Sequence, residues 1–390
     1  MNDLANQLRI DPFTGRHVIV ASGRGSRPVQ VVQSVTSQVN YDPFLEGNEH
    51  DTPRERLALR KVGSAENAIK WLLRVVPNRY PAVTDLASNA KSGAQRNARE
   101  CKGNSHSAAV AMPAVNLLRS KLHRQFATGF HEVVVECPDQ RTRLSELSTI
   151  EVARILFAWQ MRLRSLAADP AIRSVNIFRN EGFGAGASLS HCHSQILATD
   201  FIPPQLEARL FAEHTHANHS DESLYAVWLN AERADGSRIV NEQRGLVVVC
   251  PFASRTAWQA RICPTLDRPV PFGELPLTDL MNLAAQLSAT IDALAVIAGT
   301  VAFNLTLSLP PTHNPTQFPW MLDVLPRPNR FAGFELMTDV EISTTSPEAA
   351  AIQYRQVGCW NQSVPPQAEI CPAGFQWAPK PARSQPSSEV

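Results

Sequence analysis

The chain has 390 residues and a formal net charge of +1 at pH 7, with 44% hydrophobic and 19% charged residues. This length suits one large or two ordinary domains, and the near-neutral charge argues against nucleic-acid or membrane-surface binding. No stretch approaches the ~18 consecutive apolar residues of a membrane helix. The first residues have no signal-peptide core, so we expect a cytoplasmic protein. The seven cysteines include no C-x-x-C pair, which is typical of reduced thiols rather than disulfides.

Two parts of the chain show the same order of predicted elements. Residues 131–148 contain an apolar strand, a Cys-Pro pair and a polar turn, and residues 245–262 repeat this pattern. In each part a predicted helix, indicated by apolar positions at helical spacing, and then a strand follow. The helix and strand lie at 149–167 and 174–180 in the first part, and at 277–295 and 301–309 in the second. The repetition predicts two halves of similar architecture, although any mixed α and β protein could show such a pattern.

The remaining segments suggest where the chain divides. Residues 87–112 are polar and rich in Gly, Ser and Ala, which predicts a loop. Pro203-Pro204 predicts the start of a helix at the junction, so we expect one half over 1–203 and another over 204–360. The tail at 361–390 is rich in Pro and Ser, and we expect its end to be disordered.

The most informative segment lies at 174–204. An apolar strand ends at Asn180, a Gly/Ala/Ser-rich loop follows, and His191, His193 and Gln195 then stand at alternate positions. Because alternate residues of a strand share a face, we expect these side chains to point into one pocket. The glycines leave backbone N–H groups open to an anion such as phosphate. A neutral imidazole there suits a nucleophile or acid–base group; a metal-binding pair or two surface histidines are the alternatives.

The pattern N-x-G-x-x-x-G-A-S-x-x-H-x-H-x-Q at 180–195 resembles the active-site segment of the galactose-1-phosphate uridylyltransferase family, a branch of the histidine-triad superfamily. Four more segments are similar to the family in the same order along the chain: 9–28, 75–83, 129–139 and 325–351. The resemblance implies an α+β fold of two histidine-triad-like halves, each an antiparallel β-sheet with packed helices. Only the first half is expected to keep the nucleophile, and the matching stretch of the second half, 317–327, contains no histidine.

The resemblance also implies roles for single residues. His193 matches the family's nucleophile, which forms a nucleotidyl-histidine and divides one displacement into two in-line steps. Gln195 stands where hydrolytic histidine-triad proteins carry a third histidine. An amide can hydrogen-bond a phosphoryl oxygen but cannot move a proton to or from water, which favours transfer over hydrolysis. The positions expected to contact the nucleotide or its phosphates are Arg24, Arg27, Asn78, Asn180, Gly186 and Ser188. Glu335 matches a carboxylate that binds sugar hydroxyls.

For three of these assignments a structural alternative remains open. Asn180 could cap a turn instead of contacting phosphate. Arg24 and Arg27 lie in a Gly/Ser loop, where arginines are often simply solvated. Glu335 could be an ordinary surface carboxylate.

Many members of the family hold a structural zinc ion, and its ligand positions are altered here. Asp42 and Leu45 stand in place of two cysteines, Gln140 replaces a histidine, and only His191 remains. Leucine cannot bind a metal, and one imidazole with at most one carboxylate falls short of four ligands. We therefore expect no structural zinc and no other cofactor, with weak metal binding by Asp42 or His50 as the alternative. Without a metal, His191 could hydrogen-bond within the strand pair and order the active-site loop.

The expected reaction is ping-pong transfer of a nucleoside monophosphate between a nucleotide sugar and a sugar 1-phosphate or phosphate. Uridylyl transfer to galactose 1-phosphate is the leading assignment. An adenylyltransferase of the ADP-glucose phosphorylase type, similar in its H-x-H-S-Q form, is the alternative enzyme. An inactive nucleotide-binding relative is a third possibility, which the retained nucleophile disfavours. The family is usually homodimeric, and we carry that expectation over.

Overall fold

A computed structural model describes residues 7–20, 41–62, 71–85, 127–265, 270–329 and 332–379. In this part of the chain fifteen strands form: β1 Gln7–Ile10, β2 His17–Val20, β3 Leu57–Lys61, β4 Trp71–Pro77, β5 Thr84–Asp85, β6 Thr128–Val135, β7 Ser174–Glu181, β8 His193–Thr199, β9 Ile239–Gln243, β10 Leu246–Val249, β11 Ala260–Pro264, β12 Phe303–Ser308, β13 Met321–Pro326, β14 Glu341–Ser343 and β15 Phe375–Pro379. The α-helices are α1 Thr149–Ala167, α2 Pro204–Ala217, α3 Leu224–Asp235, α4 Leu277–Ala298, α5 Gly333–Thr338 and α6 Pro347–Val357. Arg24, Arg27 and the predicted loop at 87–112 lie outside the described residues.

Twelve of these strands form one continuous sheet. Its order is β15-β3-β4-β6-β8-β7-β12-β13-β11-β10-β9, and β5 pairs with β6 from the side. The two halves of the chain meet near the centre of the sheet, where β7 pairs antiparallel with β12. The architecture confirms the predicted α+β fold class, and the two halves share a single sheet. A smaller sheet of three strands has the order β1-β2-β14.

Helices α1 and α4 pack against each other and share the main hydrophobic core. Both were predicted from apolar spacing; α1 has the predicted bounds, and α4 extends to Ala298. The N-terminus of α1 is a capping box, in which the Glu151 carboxylate accepts hydrogen bonds from the Ser148 backbone N–H and hydroxyl. Helix α4 is long and apolar enough to cross a membrane, with 22 residues and a mean hydropathy of 1.5. Because 72% of that stretch is buried inside the fold, its composition is explained by its place in the core.

The strand order repeats outward from the β7–β12 pair. The first half runs β7-β8-β6-β4 and the second β12-β13-β11-β10. Helix α1 connects β6 to β7, and α4 makes the matching connection from β11 to β12. The counterpart of β6 is therefore β11. The sequence-based prediction matched β6 to the strand at the start of residues 245–262, which is β10, so it was wrong by one strand. Both β10 and β11 end at or just before a Cys-Pro pair, so the sequence pattern fits either strand.

Two elements flank the junction and the far edge of the sheet. Helix α2 begins at Pro204, as the proline pair predicted, because proline is tolerated in the first turn of a helix. Strand β15, in the Pro/Ser-rich tail, was not predicted. It pairs antiparallel with β3, with Trp377 opposite Leu59. The Trp377 ring also packs edge-on against Phe157 of α1, with 5.3 Å between the ring centroids. This segment therefore covers β3, which would otherwise be an exposed edge strand; residues 380–390 lie outside the described part of the chain.

Candidate active site

His193 opens strand β8 and lies opposite Val135 of β6. Gln195 is two residues further along, so both side chains point to the same face of the sheet. Ser194, between them, points to the helical face, where its hydroxyl accepts a 2.8 Å hydrogen bond from the indole N–H of Trp159 in α1. Ser194 and Trp159 are both fully buried. The strand that carries the predicted nucleophile is thus anchored to the core helix.

Its surroundings fix the tautomer of His193. The ring Nδ1 lies 2.7 Å from the backbone carbonyl oxygen of His191. Because a carbonyl only accepts, Nδ1 carries the proton and Nε2 keeps its lone pair. Burial lowers the pKa of His193 to about 4, partly opposed by that hydrogen bond. The imidazole is therefore neutral at physiological pH and nucleophilic at Nε2.

His191 lies in the bend before β8, so it reaches the site from a loop and not from within the strand. Its Nδ1 is 2.8 Å from Oδ2 of Asp42, and its Nε2 is 2.9 Å from the carbonyl oxygen of Cys137. Each ring nitrogen therefore has a hydrogen-bond acceptor within reach. The ring of Phe44 packs against both His191 and His193, at 5.8 and 5.6 Å between centroids. His191 therefore ties the segment before β3 and the turn after β6 to the nucleophile.

His131 of β6 holds the Gln195 amide in one orientation. The backbone N–H of Ala82 donates to His131 Nδ1 at 3.1 Å, so the ring proton is on Nε2. Nε2 then donates to Oε1 of Gln195 at 2.9 Å, and burial lowers the pKa of His131, which favours this neutral form. With its oxygen engaged, Gln195 presents its NH₂ group as a donor. Sequence reasoning missed His131, because nothing in the local pattern indicates that its ring reaches Gln195.

Asn78 lies beside His131 and forms a turn. Its backbone N–H donates to the His131 carbonyl oxygen at 2.7 Å, and its Oδ1 accepts from the backbone N–H of Tyr80 at 2.8 Å. This is the geometry of an Asx turn. The amide nitrogen of Asn78 is 3.3 Å from His131 Nε2, so the residue belongs to the same cluster as Gln195.

Asn180 lies in β7 opposite Asn304 of β12, at the junction of the two halves. The Asn304 amide nitrogen donates to Asn180 Oδ1 at 2.8 Å and to the carbonyl oxygen of Ala185 at 2.9 Å. Arg327 Nε donates to Asn304 Oδ1 at 2.6 Å. These side chains and the loop at 184–186 line a cavity of about 590 Å³. Asn180 is thus a strand residue and not a turn cap, and sequence reasoning missed Asn304 and Arg327 because only the β7–β12 pairing brings them here.

The loop between β7 and β8 depends on two glycines in the left-handed region. Gly182 has φ 81° and Gly186 has φ 87°, which other residues rarely adopt. A side chain at Gly182 would also meet the Ala302 Cβ at 3.0 Å, whereas the space beside Gly186 is open. Gly186 lines the junction cavity, and Ser188 is exposed on the same loop. The backbone of this loop can therefore approach a ligand closely.

The structure does not bring every predicted residue to the nucleophile. Glu335 accepts a 3.1 Å hydrogen bond from the backbone N–H of Ala332 at the start of α5, which is a helix-capping contact. His193 is only 5% exposed, and its ring contacts that of Phe44. Neither the junction cavity nor the larger cavity beside α2 is lined by His193.

The altered zinc positions do not form a metal-binding group. Asp42 and His191 hydrogen-bond each other, Leu45 has no donor atom in its side chain, and Gln140 and His50 are exposed. Across the described ranges no cluster of three or more His, Cys, Asp or Glu side chains is suited to a metal. Both ring nitrogens of His191 are already engaged, so these residues do not fit a four-coordinate zinc ion.

Comparison with known proteins gives consistent relatives. Residues 1–203 match the sequence model described as galactose-1-phosphate uridyl transferase, N-terminal domain. The chain is 26% identical over 359 residues to ADP-glucose phosphorylase from Arabidopsis thaliana, covering 90% of this chain and 93% of that protein. It is 24% identical over 258 residues to galactose-1-phosphate uridylyltransferase from Thermotoga maritima, covering 66% of each.

Solved structures of the same kind share the fold. The crystal structure of ADP-glucose phosphorylase from Arabidopsis thaliana with bound ADP-glucose superposes with a TM-score of 0.69 at 24% identity, covering 91% of this chain and 100% of that one. A uridylyltransferase structure gives a TM-score of 0.62 at 24% identity, covering 90% and 98%. The sequence match covers more than half of the chain and includes strand β8 with His193. The chain therefore belongs to the galactose-1-phosphate uridylyltransferase family of nucleotidyltransferases.

Proposed function

We propose that the protein transfers a nucleoside monophosphate from a nucleotide sugar to a sugar 1-phosphate or phosphate through a covalent intermediate on His193. The observation that carries this proposal is the neutral, buried imidazole. Its Nδ1 proton is directed to the His191 carbonyl oxygen, which leaves Nε2 as the attacking nitrogen. A pKa of about 4 keeps that lone pair available at neutral pH.

The reaction follows from this tautomer. Nε2 of His193 attacks the α-phosphorus, a P–N bond forms, and the bond from the α-phosphorus to the bridging oxygen breaks, releasing the sugar 1-phosphate. The ring then carries a positive charge, and its Nδ1–H still donates to the His191 carbonyl oxygen, which stabilises that charge. In the second step a phosphate oxygen of the acceptor attacks the same phosphorus, and His193 leaves as a neutral imidazole.

Gln195 suits transfer better than hydrolysis. Both leaving and entering groups are phosphate oxygens that are already ionised, so no proton has to move in either step. The Gln195 NH₂ group, held by His131, can donate to a phosphoryl oxygen but cannot deprotonate water. At the junction, Asn304 donates both of its amide N–H groups within the protein, to Asn180 and Ala185. The Asn180 amide nitrogen and the Arg327 guanidinium line the same cavity and are the groups that could donate to the phosphate or hydroxyls of a ligand.

Uridylyl transfer to galactose 1-phosphate is our leading assignment, and adenylyl transfer of the ADP-glucose phosphorylase type is the second candidate. The specific observation in favour of the second is the similarity to the Arabidopsis phosphorylase over 90% of the chain, against 66% for the Thermotoga uridylyltransferase. We further propose that the enzyme works in the cytoplasm as a homodimer, without zinc, and that the hydrogen bond between Asp42 and His191 takes over the ordering role of the metal.

The decisive experiment is labelling of the protein with UDP-glucose and ADP-glucose, each radioactive at the α-phosphate. We expect acid-labile label on the native protein from the preferred nucleotide sugar. The matched control is His193→Asn, whose amide nitrogen can replace Nδ1–H toward the His191 carbonyl oxygen but offers no nucleophile. Label that persists in this variant would place the nucleophile elsewhere, and absence of label from both substrates would contradict the covalent mechanism.

A further inference from the structure

A second large cavity lies on the sheet face that carries Gln195, and residues of both halves line it. Its volume of about 660 Å³ suits a small metabolite. Strands β7, β12 and β13 contribute to its floor, and α2 forms one wall. Gln205 and Ser308 line it and are exposed, so the cavity opens to solvent. It shares Phe178, Arg255, Thr306 and Leu325 with the junction cavity, whereas α2 lines this cavity alone.

The strand register shows which residue of the second half lies on the sheet face that carries Gln195. Gln195 pairs with Phe178, Phe178 with Thr306, and Thr306 with Asp323. Because directly opposite residues share a face, Asp323 lies on the same face as Gln195. Its carboxylate accepts hydrogen bonds of 3.0 and 3.2 Å from the Arg261 guanidinium. A carboxylate engaged in this way is neutralised and poorly nucleophilic, so the cavity suits binding and not catalysis.

Arg209, on α2, lines this cavity and is 5% exposed. Its Nη1 donates to the Met321 sulfur at 3.3 Å, a weak acceptor. Within the described residues, its Nε and Nη2 have no hydrogen-bond partner, and the Glu213 carboxylate oxygen is 3.6 Å from Nε. Burial lowers the pKa of Arg209 to about 10, so the guanidinium is still charged at neutral pH. A buried guanidinium with so few acceptors is costly unless a ligand supplies them.

Arg209 keeps one donor without an acceptor. The Phe318 and Phe13 rings lie 3.9 and 4.8 Å from the guanidinium carbon, which supports the cation, and Glu213 is its carboxylate partner at 3.6 Å from Nε. The other arginines of the cavity also have carboxylate partners: Arg261 contacts Asp323, and Arg16 and Arg255 contact Glu341. Nη2 of Arg209 is thus a buried donor that has no hydrogen-bond partner among the described residues.

We propose that this cavity binds a small phosphorylated molecule with its phosphate group on Arg209. A phosphate oxygen would accept a charge-assisted hydrogen bond from Nη2. The side chains of Asn176 and Thr306 also line the cavity and offer hydrogen bonds to hydroxyls of the ligand. Inorganic phosphate and a sugar phosphate both carry a phosphate group that could accept hydrogen bonds from Arg209, so the experiment below uses both. The proposal does not rest on the transfer reaction.

Met321 provides a local probe, because its sulfur contacts Arg209. We would label the six methionines of the full chain with ¹³C at the methyl carbon and assign the Met321 resonance with Met321→Leu. Inorganic phosphate, glucose 1-phosphate and, at matched ionic strength, sodium chloride are then titrated separately. The expected result is a saturable shift of the Met321 resonance with at least one phosphate compound and none with chloride. Met281, buried in α4, is the internal control that should not move.

Three variants separate the outcomes. Arg209→Gln should weaken binding at least ~10-fold, since it removes a charge-assisted hydrogen bond together with the positive charge. Arg209→Lys keeps the charge without the planar fork, so it should bind more weakly than the native protein and serves if Arg209→Gln does not fold. His193→Asn should bind as the native protein does. The proposal is overturned if Met321 shows no saturable shift, if the shift survives unchanged in both Arg209 variants, or if it disappears in His193→Asn.

Discussion

The buried, neutral His193 makes the stability of this protein depend on pH in a defined direction. An unperturbed histidine titrates near 6.5, whereas burial lowers the pKa of His193 in the folded protein to about 4. Between these values the unfolded chain binds more protons than the folded one. The free energy of unfolding therefore falls as the pH decreases from about 6.5 toward about 4, and the contribution of His193 is complete above 6.5.

The size of the effect follows from the two pKa values. Each unit of difference corresponds to about 1.4 kcal/mol. At about pH 5 the unfolded imidazole is almost fully protonated and the folded one almost fully neutral. Linkage then predicts a loss of about 2 kcal/mol relative to about pH 7.5. The same argument predicts that labelling of the protein by nucleotide sugar does not decline through protonation of His193 until the pH approaches 4.

His193→Asn isolates the pH-dependent contribution of His193 to the free energy of unfolding, because asparagine preserves a donor toward the His191 carbonyl oxygen and does not titrate. Urea unfolding at about pH 7.5, 6 and 5 gives the free energies by linear extrapolation. His131, whose pKa burial also lowers, contributes in both proteins and cancels in the difference. His214→Asn, at an exposed site, controls for loss of a histidine. We expect the native protein to lose about 2 kcal/mol more than the His193 variant at about pH 5; parallel losses would refute a buried neutral imidazole.

Three more predictions test the supporting residues. His131→Phe should slow formation of the labelled protein about fivefold, which corresponds to the loss of one ordinary hydrogen bond. His131→Gln, which can still donate to Gln195, should recover part of that rate. Equal rates in the native protein and His131→Phe would show that His131 does not orient Gln195. Trp159→Phe should lower the free energy of unfolding, measured by urea unfolding, by about 1–3 kcal/mol, because the buried Ser194 hydroxyl loses its partner. Adding Ser194→Ala to the Trp159→Phe variant should lower this free energy by less than Ser194→Ala does in the native protein. Fully additive losses would contradict a coupling between the two side chains. The purified protein should contain far less than one zinc ion per chain by elemental analysis, and a strong chelator should leave its melting temperature and labelling unchanged; stoichiometric zinc would show that other residues had rebuilt the site.

The sequence predicted the elements that are specified by residues close together along the chain. The core helices α1 and α4 carry their own apolar spacing, and the cap of α1 is formed by residues within its first turn, Ser148 and Glu151. The order of strand, glycine-rich loop and strand around His193 is likewise encoded in one continuous segment. Its two positive-φ glycines and the start of α2 at Pro204 match the residue types found there. Such features need no knowledge of the rest of the chain.

Features that depend on distant pairings were not predicted. The contact between His131 and Gln195 joins positions 64 residues apart, and Asn304 lies 124 residues from Asn180. The hydrogen bond between Asp42 and His191 spans 149 residues. Each of these depends on which strands or loops become neighbours, and residue type alone does not report this. The error of one strand in the internal repeat has the same origin, because β10 and β11 are both apolar and both adjoin a Cys-Pro pair, and only their hydrogen-bonded order distinguishes them.

The two halves of the sheet differ in what faces their central polar residue. In the first half, His193 lies opposite Val135, an apolar neighbour that helps to keep the imidazole desolvated and neutral. In the second half, Asp323 lies opposite Arg261, and the two charges neutralise each other in a buried ion pair. Changing Asp323 alone to histidine would leave Arg261 buried without its carboxylate, at a cost of about 3–5 kcal/mol. The same sheet face therefore carries a buried neutral histidine in one half and a fixed ion pair in the other.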